Sequence, residues 1–265
     1  MRTRNRLVAA GLALLLSLPV AAQEPVRLFA AGSLRAVMTE IGQAYAKAGG
    51  GPLQGEFGPS GLLRDRLAKG EPADVFASAN MEHPASLHAA GRSGPVTPFA
   101  RNRLCALVAP GLPVTTDTLL DRMLDPAVKL GMSTPKADPS GDYALELFAK
   151  AETQKAGARA ALEAKALKLT GGPDSPPPPK DRSVYGMLVA ERKADIFLTY
   201  CTNAKAARDE NPALAIVAVP APLAVGANYG LTVIADAKPA ATQFAQFVLS
   251  ADGQRILARH GFDAS

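Results

Sequence analysis

The chain has no tryptophan, two cysteines and three histidines, and only 5% of its residues are aromatic. Each scarcity removes a class of chemistry. A tetrahedral zinc site takes four closely organised nitrogen or sulfur ligands. Here Cys105 and Cys201 are far apart, and His83 and His88 have a poor spacing for one helix face. No HExxH, CxxC or GxxxxGK[ST] pattern occurs, and neither Ser33 nor Ser60 lies in a GxSxG elbow. The coarse element map places His83 and His88 in a surface helix after Asn80 and puts no histidine beside a serine turn. Neither an enzyme nor a cation-binding protein is expected.

Long apolar runs are also missing, with one exception. Leu7–Val20 is shorter than the ~20 residues that a membrane-spanning helix needs, and Pro19 breaks it. Three arginines precede it and Ala21-Ala22-Gln23 follows, the plan of a secretory signal cut after Ala22. Residues 1–22 are therefore expected to be removed on export to the periplasm, and no cysteine near the cut suggests a lipid anchor. Without them the formal charge falls from +5 to +2, and no block of Lys or Arg survives. A phosphate backbone demands a concentrated basic face, so nucleic acid is not an expected partner. In an oxidising compartment the two cysteines are permitted to pair. Pairing needs Cα atoms within ~7 Å, and the sequence leaves a disulfide and two buried thiols both open.

What is present is an alternation of strands and helices, the mark of a layered α/β protein. Strands are expected at Val26–Ala31, Leu53–Phe57, Asp74–Ser78, Arg103–Ala109, Val128–Met132, Ile196–Tyr200, Ile216–Val219 and Tyr229–Ile234. Helices are expected at Leu34–Lys47, Leu62–Lys69, Tyr143–Lys150, Ala156–Lys168, near Val184–Arg192, and at Ala241–Leu249 and Gly253–His260. Gly171–Pro179 carries four successive prolines, which favour an extended, exposed loop, a PxxP partner motif being the other reading.

One arrangement recurs. A strand ends in a small-residue turn holding a serine, and a helix begins at once: Ala31-Gly32-Ser33, Gly58-Pro59-Ser60-Gly61, Asp138-Pro139-Ser140-Gly141 and, less regularly, Asp181-Arg182-Ser183. Serine is a preferred N-cap, so any one of these turns is accounted for by capping. Taken together they suggest more. A helix N-terminus offers unpaired N–H groups and partial positive charge, and ligands of open α/β sheets gather at the carboxyl ends of strands. Several such turns converging would replace the hydration of a small anion with neutral donors.

The short motifs and their order resemble the periplasmic molybdate-binding proteins of ABC importers. They are VRLFAAGSLRAVMTEI (Val26–Ile41), GPSGLLRDRLAKGEPADVFASA (Gly58–Ala79), FARNRLCALVAPG (Phe99–Gly111), DPSGDYA (Asp138–Ala144), ADIFLTYCTNA (Ala194–Ala204) and LSADGQRILARHGF (Leu249–Phe262). The resemblance implies a type II periplasmic binding protein fold of two lobes with a hinge and an interlobe cleft. Lobe one would be 26–100 plus 223–265, and lobe two 101–222. It implies a monomer without a cofactor that binds molybdate or tungstate and meets an inner-membrane ABC permease. In the matching positions Ser33 and Ser60 would donate by hydroxyl and backbone N–H, Ser140 by its backbone N–H where the family usually has alanine, and Tyr200 by its phenol. A further backbone donor falls at or near Arg182, where the family usually has valine. Arg182, with Asp142 and Asp181 nearby, departs from an uncharged site and keeps sulfate or a chelated or organic anion as an alternative ligand.

Overall fold

The computed structural model describes residues 24–179 and 182–264. The expected signal segment and Asp181 lie outside the described residues. Among the described residues no helix is long and apolar enough to cross a membrane.

The elements follow in order as β1 (Val26–Ala31), a 3-10 turn (Gly32–Leu34), α1 (Arg35–Lys47), β2 (Leu53–Gly58), α2 (Ser60–Ala68), β3 (Val75–Ser78), α3 (Glu82–Ala89) and β4 (Thr97–Val108). Then come α4 (Leu119–Leu124), β5 (Leu130–Ser133), α5 (Pro139–Gln154), α6 (Ala158–Lys165), β6 (Leu167–Thr170), α7 (Val184–Ala190), β7 (Ile196–Tyr200) and α8 (Cys201–Glu210). The chain closes with β8 (Ala215–Ala218), β9 (Gly226–Val233), α9 (Pro239–Leu249) and α10 (Ala251–Arg259).

The strands pair in the order β2-β1-β3-β9-β4-β7-β5-β6, with β8 also on β4. β1 is parallel to β2 and β3, and β5 is parallel to β6 and β7. β4 runs antiparallel to its neighbours and joins two parts of the sheet. Its residues 97–103 pair with β9, while 104–108 pair with β7 and β8. The chain thus leaves the first part (β1, β2, β3) along β4 and returns to it along β9. Strands covered on both faces need continuous apolar runs, and β3, β5 and β7 are buried throughout.

Helices seat their apolar stripes on this frame. α5 buries Ala144, Leu147, Phe148 and Ala151, a three-to-four spacing that places all four on one side. α1 buries Val37, Met38, Ile41 and Tyr45. Each large side chain removed from water in this way contributes about 1.5–3 kcal/mol. The two cysteines pair: Cys105 of β4 and Cys201, the first residue of α8, form a disulfide with Cα atoms 4.9 Å apart.

Four expectations change. The helix read over Ala156–Lys168 ends at Lys165, and its tail becomes strand β6. β4 begins six residues before Arg103, passing through Pro98 with a shift of register between Pro98 and Ala100. α8 follows β7 without any connecting loop, Tyr200 serving as its N-cap position. His83, expected on a surface helix, is buried in α3.

Candidate functional site

The ends of β1, β2, β3 and β7 open onto one cavity of about 830 Å³. From the first sheet part come Ser33 and Ser60. Ser33 sits half-buried in the 3-10 turn, its Oγ 3.0 Å from Tyr229 Oη. Ser60 is the first residue of α2 and is 1% exposed; its Oγ accepts the N–H of Ala79 at 3.1 Å. From the second part comes Tyr200, the buried last residue of β7. Its phenol donates to Ala79 O at 3.4 Å, and burial holds its pKa well above the usual tyrosine value. Ala79 therefore donates to Ser60 on one side and accepts from Tyr200 on the other.

Arg182 also lines the cavity, exposed, with Nη2 3.1 Å from Met187 Sδ. Ser140 does not line it. Ser140 is fully buried, its Oγ donating to Ser133 Oγ at 2.9 Å and its N–H donating to Asp138 Oδ1 at 3.0 Å. Asp142 is likewise absent from the wall, accepting the N–H of Lys136 at 2.8 Å. The structure therefore brings Ser33, Ser60, Tyr200 and Arg182 together and leaves Ser140 behind the wall.

Three wall features escaped the sequence reading. Asp138 caps α5, and burial pushes its carboxyl up to about 6 although the Ser140 N–H works the other way. The pattern Asp-Pro-Ser, with proline at the first helical position, carried that capping signal. Gly171–Pro179, set aside as an exposed loop, supplies much of one side. Gly171 has φ +79°, and a Cβ there would lie 2.7 Å from Asp138 Oδ2, so no other residue fits. Thr202, just past Tyr200, is the third. The charged side chains of the wall are mixed: Arg35, Arg182, Lys205 and Arg259 against Asp138, Asp209 and Glu210. Several are already engaged, Lys205 with Asp209 and Arg259 with Glu40.

Next to Ser60 and Asp138 the two sheet parts touch directly. The N–H of Gly61, in the first turn of α2, donates to Ala137 O at 2.9 Å. A Cβ on Gly61 would lie 2.2 Å from Lys136 O, so this approach requires glycine.

His260 is among the residues that line the cavity, with Nε2 2.7 Å from Glu40 Oε2. No histidine ring is hydrogen-bonded to a serine hydroxyl among the described residues. Nor, among those residues, does any group of three or more His, Cys, Asp or Glu stand where it could hold a metal ion.

Residues 26–263 match the family model described as "Bacterial extracellular solute-binding protein". An uncharacterized protein of Pasteurella multocida, PM1146, is 39% identical over 207 residues, 78% of this chain and 86% of its own. The molybdate-binding protein ModA of Mycobacterium tuberculosis is 30% identical over 251 residues, 92% of this chain and 86% of its own. Among solved structures, the sulfate-binding protein SubI of Mycobacterium tuberculosis aligns with a TM-score of 0.73 at 20% identity, covering 91% of this chain and 86% of that one. The periplasmic molybdate-binding protein of Azotobacter vinelandii aligns with a TM-score of 0.71 at 15% identity, covering 91% and 99%.

Proposed function

This chain belongs to the bacterial extracellular solute-binding protein family and has the type II periplasmic-binding fold, and from that premise we propose that it captures molybdate, or tungstate, in the periplasm for an inner-membrane ABC permease. The observation that carries the reading is the convergence of Ser33, Ser60 and Tyr200, from opposite sheet parts, on one cavity. Hydroxyls and first-turn N–H groups are neutral donors, and held in a cavity they replace the water that a dianion gives up on binding. The resemblance of the whole chain to a molybdate-binding relative gives the anion its name.

On this reading the molecule is a monomer of two lobes, 26–100 plus 223–265 and 101–222, with β4 and β9 as the crossings. The anion meets Ser33 and Ser60 first, and the second lobe then swings in with Tyr200. On this reading the Gly61 to Ala137 contact would hold the lobes together once closed. No catalytic step or cofactor enters.

A second reading rests on cavity size and Arg182. About 830 Å³ falls within the ~300–1,000 Å³ of sites for organic ligands, and a guanidinium fork on the wall suits a carboxylate or phosphate. A sulfate, or a chelated or organic anion, is the ligand in that case.

A thermal-shift panel of molybdate, tungstate, sulfate, phosphate and small carboxylates separates the two, since a ligand stabilises the native state by RT ln(1 + [L]/Kd). Stabilisation by molybdate and tungstate is the expected result. Stabilisation by sulfate or a carboxylate alone transfers the assignment to the second reading, and a response to none overturns the first reading and favours a chelated or organic anion.

A further inference from the structure

The direction in which the cavity hydroxyls point their protons is fixed by one buried amide. Asn102 lies in β4, where that strand passes between the two sheet parts, and is 3% exposed. Its Oδ1 accepts the N–H of Arg103 at 2.9 Å, which turns the amide nitrogen the other way. Nδ2 then donates to Thr202 Oγ1 at 2.9 Å and to Tyr229 Oη at 3.3 Å. An amide nitrogen has two hydrogens and accepts nothing, so both hydroxyl oxygens are acceptors on that side.

Each hydroxyl must place its own proton elsewhere. Tyr229 is fully buried, and its Oη lies 3.0 Å from Ser33 Oγ, so its proton goes to Ser33. Ser33 already accepts, and its proton is directed to the cavity. Thr202 accepts from Asn102 and also lines the cavity, so the same holds for it. Ser60 reaches the same condition independently, because its Oγ accepts the N–H of Ala79.

We infer that Asn102 sets the polarity of this wall, holding Thr202 directly and Ser33 by way of Tyr229 as hydrogen-bond donors, and that Thr202 is a further ligand hydroxyl. Asn102 and Tyr229 touch no ligand and are positioning residues. The inference rests on the proposed anion site and names the residues that orient its donors. An anion carrying a proton meets the hydrogens of Ser33, Ser60 and Thr202 donor to donor.

The test compares two anions at pH 8. Molybdate and hydrogen phosphate both carry two charges there, and only the second carries a proton. Dissociation constants are measured by calorimetry, with hydrogen phosphate measured in competition, for wild type, Tyr229→Phe and Thr202→Val. Both substitutions keep side-chain shape. Without the phenol, Ser33 is free to accept. Tyr229→Phe is expected to weaken molybdate about tenfold, the worth of one oriented hydrogen bond, and to lower the preference for molybdate over hydrogen phosphate by at least as much. A merely structural role for Tyr229 would weaken both anions together, and an unchanged ratio overturns the inference. Thr202→Val, at a half-exposed position that folding tolerates, is expected to weaken molybdate by a similar factor. Wild-type affinity in that variant overturns the ligand role of Thr202. If wild type itself binds neither molybdate nor tungstate, the anion reading falls and this inference falls with it. Binding by wild type with both variants indistinguishable from it overturns the inference alone.

Discussion

Four serine turns look alike in the sequence, and the two sheet parts use them differently. In the second part the turns satisfy themselves. Asp138 receives the Ser140 N–H, the Ser140 hydroxyl goes to Ser133, and Ser183 caps α7 by accepting the N–H of Gly186 at 3.2 Å. The Ser183 N–H is taken by Glu210. In the first part neither the 3-10 turn nor α2 has a side-chain cap, although a serine stands at each start. Ser60 follows the N-cap position, occupied by Pro59, and so lies inside the first turn, where the helix does not need its hydroxyl. One position along the chain thus separates Ser60 from the capping Ser183, whereas Ser140, also inside its first turn, is turned from the cavity by its bond to Ser133. Tyr200 is then the second part's own contribution to the cavity, held in place by a covalent bond one residue further on.

The contrast can be broken in four places. The largest effect belongs to the disulfide, which closes a loop of 96 residues within the second part. Cys105→Ser with Cys201→Ser should lower stability by about 2–5 kcal/mol in urea unfolding. Hydrogen exchange should quicken in β7 and α8 before β1 and β3; equal loss in both parts would contradict the division. Next is Ser60→Ala, which leaves a buried anion oxygen short of a donor and should weaken binding by about 1–3 kcal/mol by calorimetry. Wild-type affinity in that variant removes Ser60 from the site.

Ser183→Ala gives the opposite pattern. Loss of an N-cap should cost about 1 kcal/mol of stability, with the affinity for the anion unmoved. A fall in affinity would mean that this turn does reach the ligand. The smallest effect is Asp138→Asn. Burial raises the Asp138 carboxyl to about 6, above its ordinary 3.8. The folded state therefore binds that proton more tightly than the unfolded chain. Its stabilising contribution is complete below the unfolded value and is lost as pH rises through about 6. An ionised carboxylate on the wall also opposes a dianion, so affinity should grow as pH falls from about 7 toward 5. Asp138→Asn should flatten both slopes, and retention of either slope would assign it to another group.

Much of this architecture was legible in the chain. Val26–Ala31 and Ile196–Tyr200 are apolar runs closed by clear signals, and both strands fall on the expected residues. What failed did so for physical reasons. Lys165-Ala166-Leu167 contains no glycine or proline, so a helix pattern ran on into β6, whose edge position leaves Leu167 and Lys168 exposed. Pro98 and the polar run Arg101-Asn102-Arg103 hid the first half of β4. A bulge accommodates the proline, and the polar residues lie where the strand passes between the two sheet parts. Of the residues that line the cavity, Ser33, Ser60 and Tyr200 carry a motif in the sequence. The roles of Asn102, Tyr229 and Thr202 were not legible there, because their partners lie 100 or more residues away and only the fold brings them together.

The Cys105–Cys201 bond also bears on how the molecule is made. Its first sulfur emerges from the ribosome 96 residues before its second, so almost the whole central segment must be synthesised before the cystine can close. Until then Cys105 is a waiting thiol, open to alkylation. Once closed, the bond is a covalent record that β4 and the start of α8 have found one another, and the fraction oxidised counts the molecules whose assembly is complete.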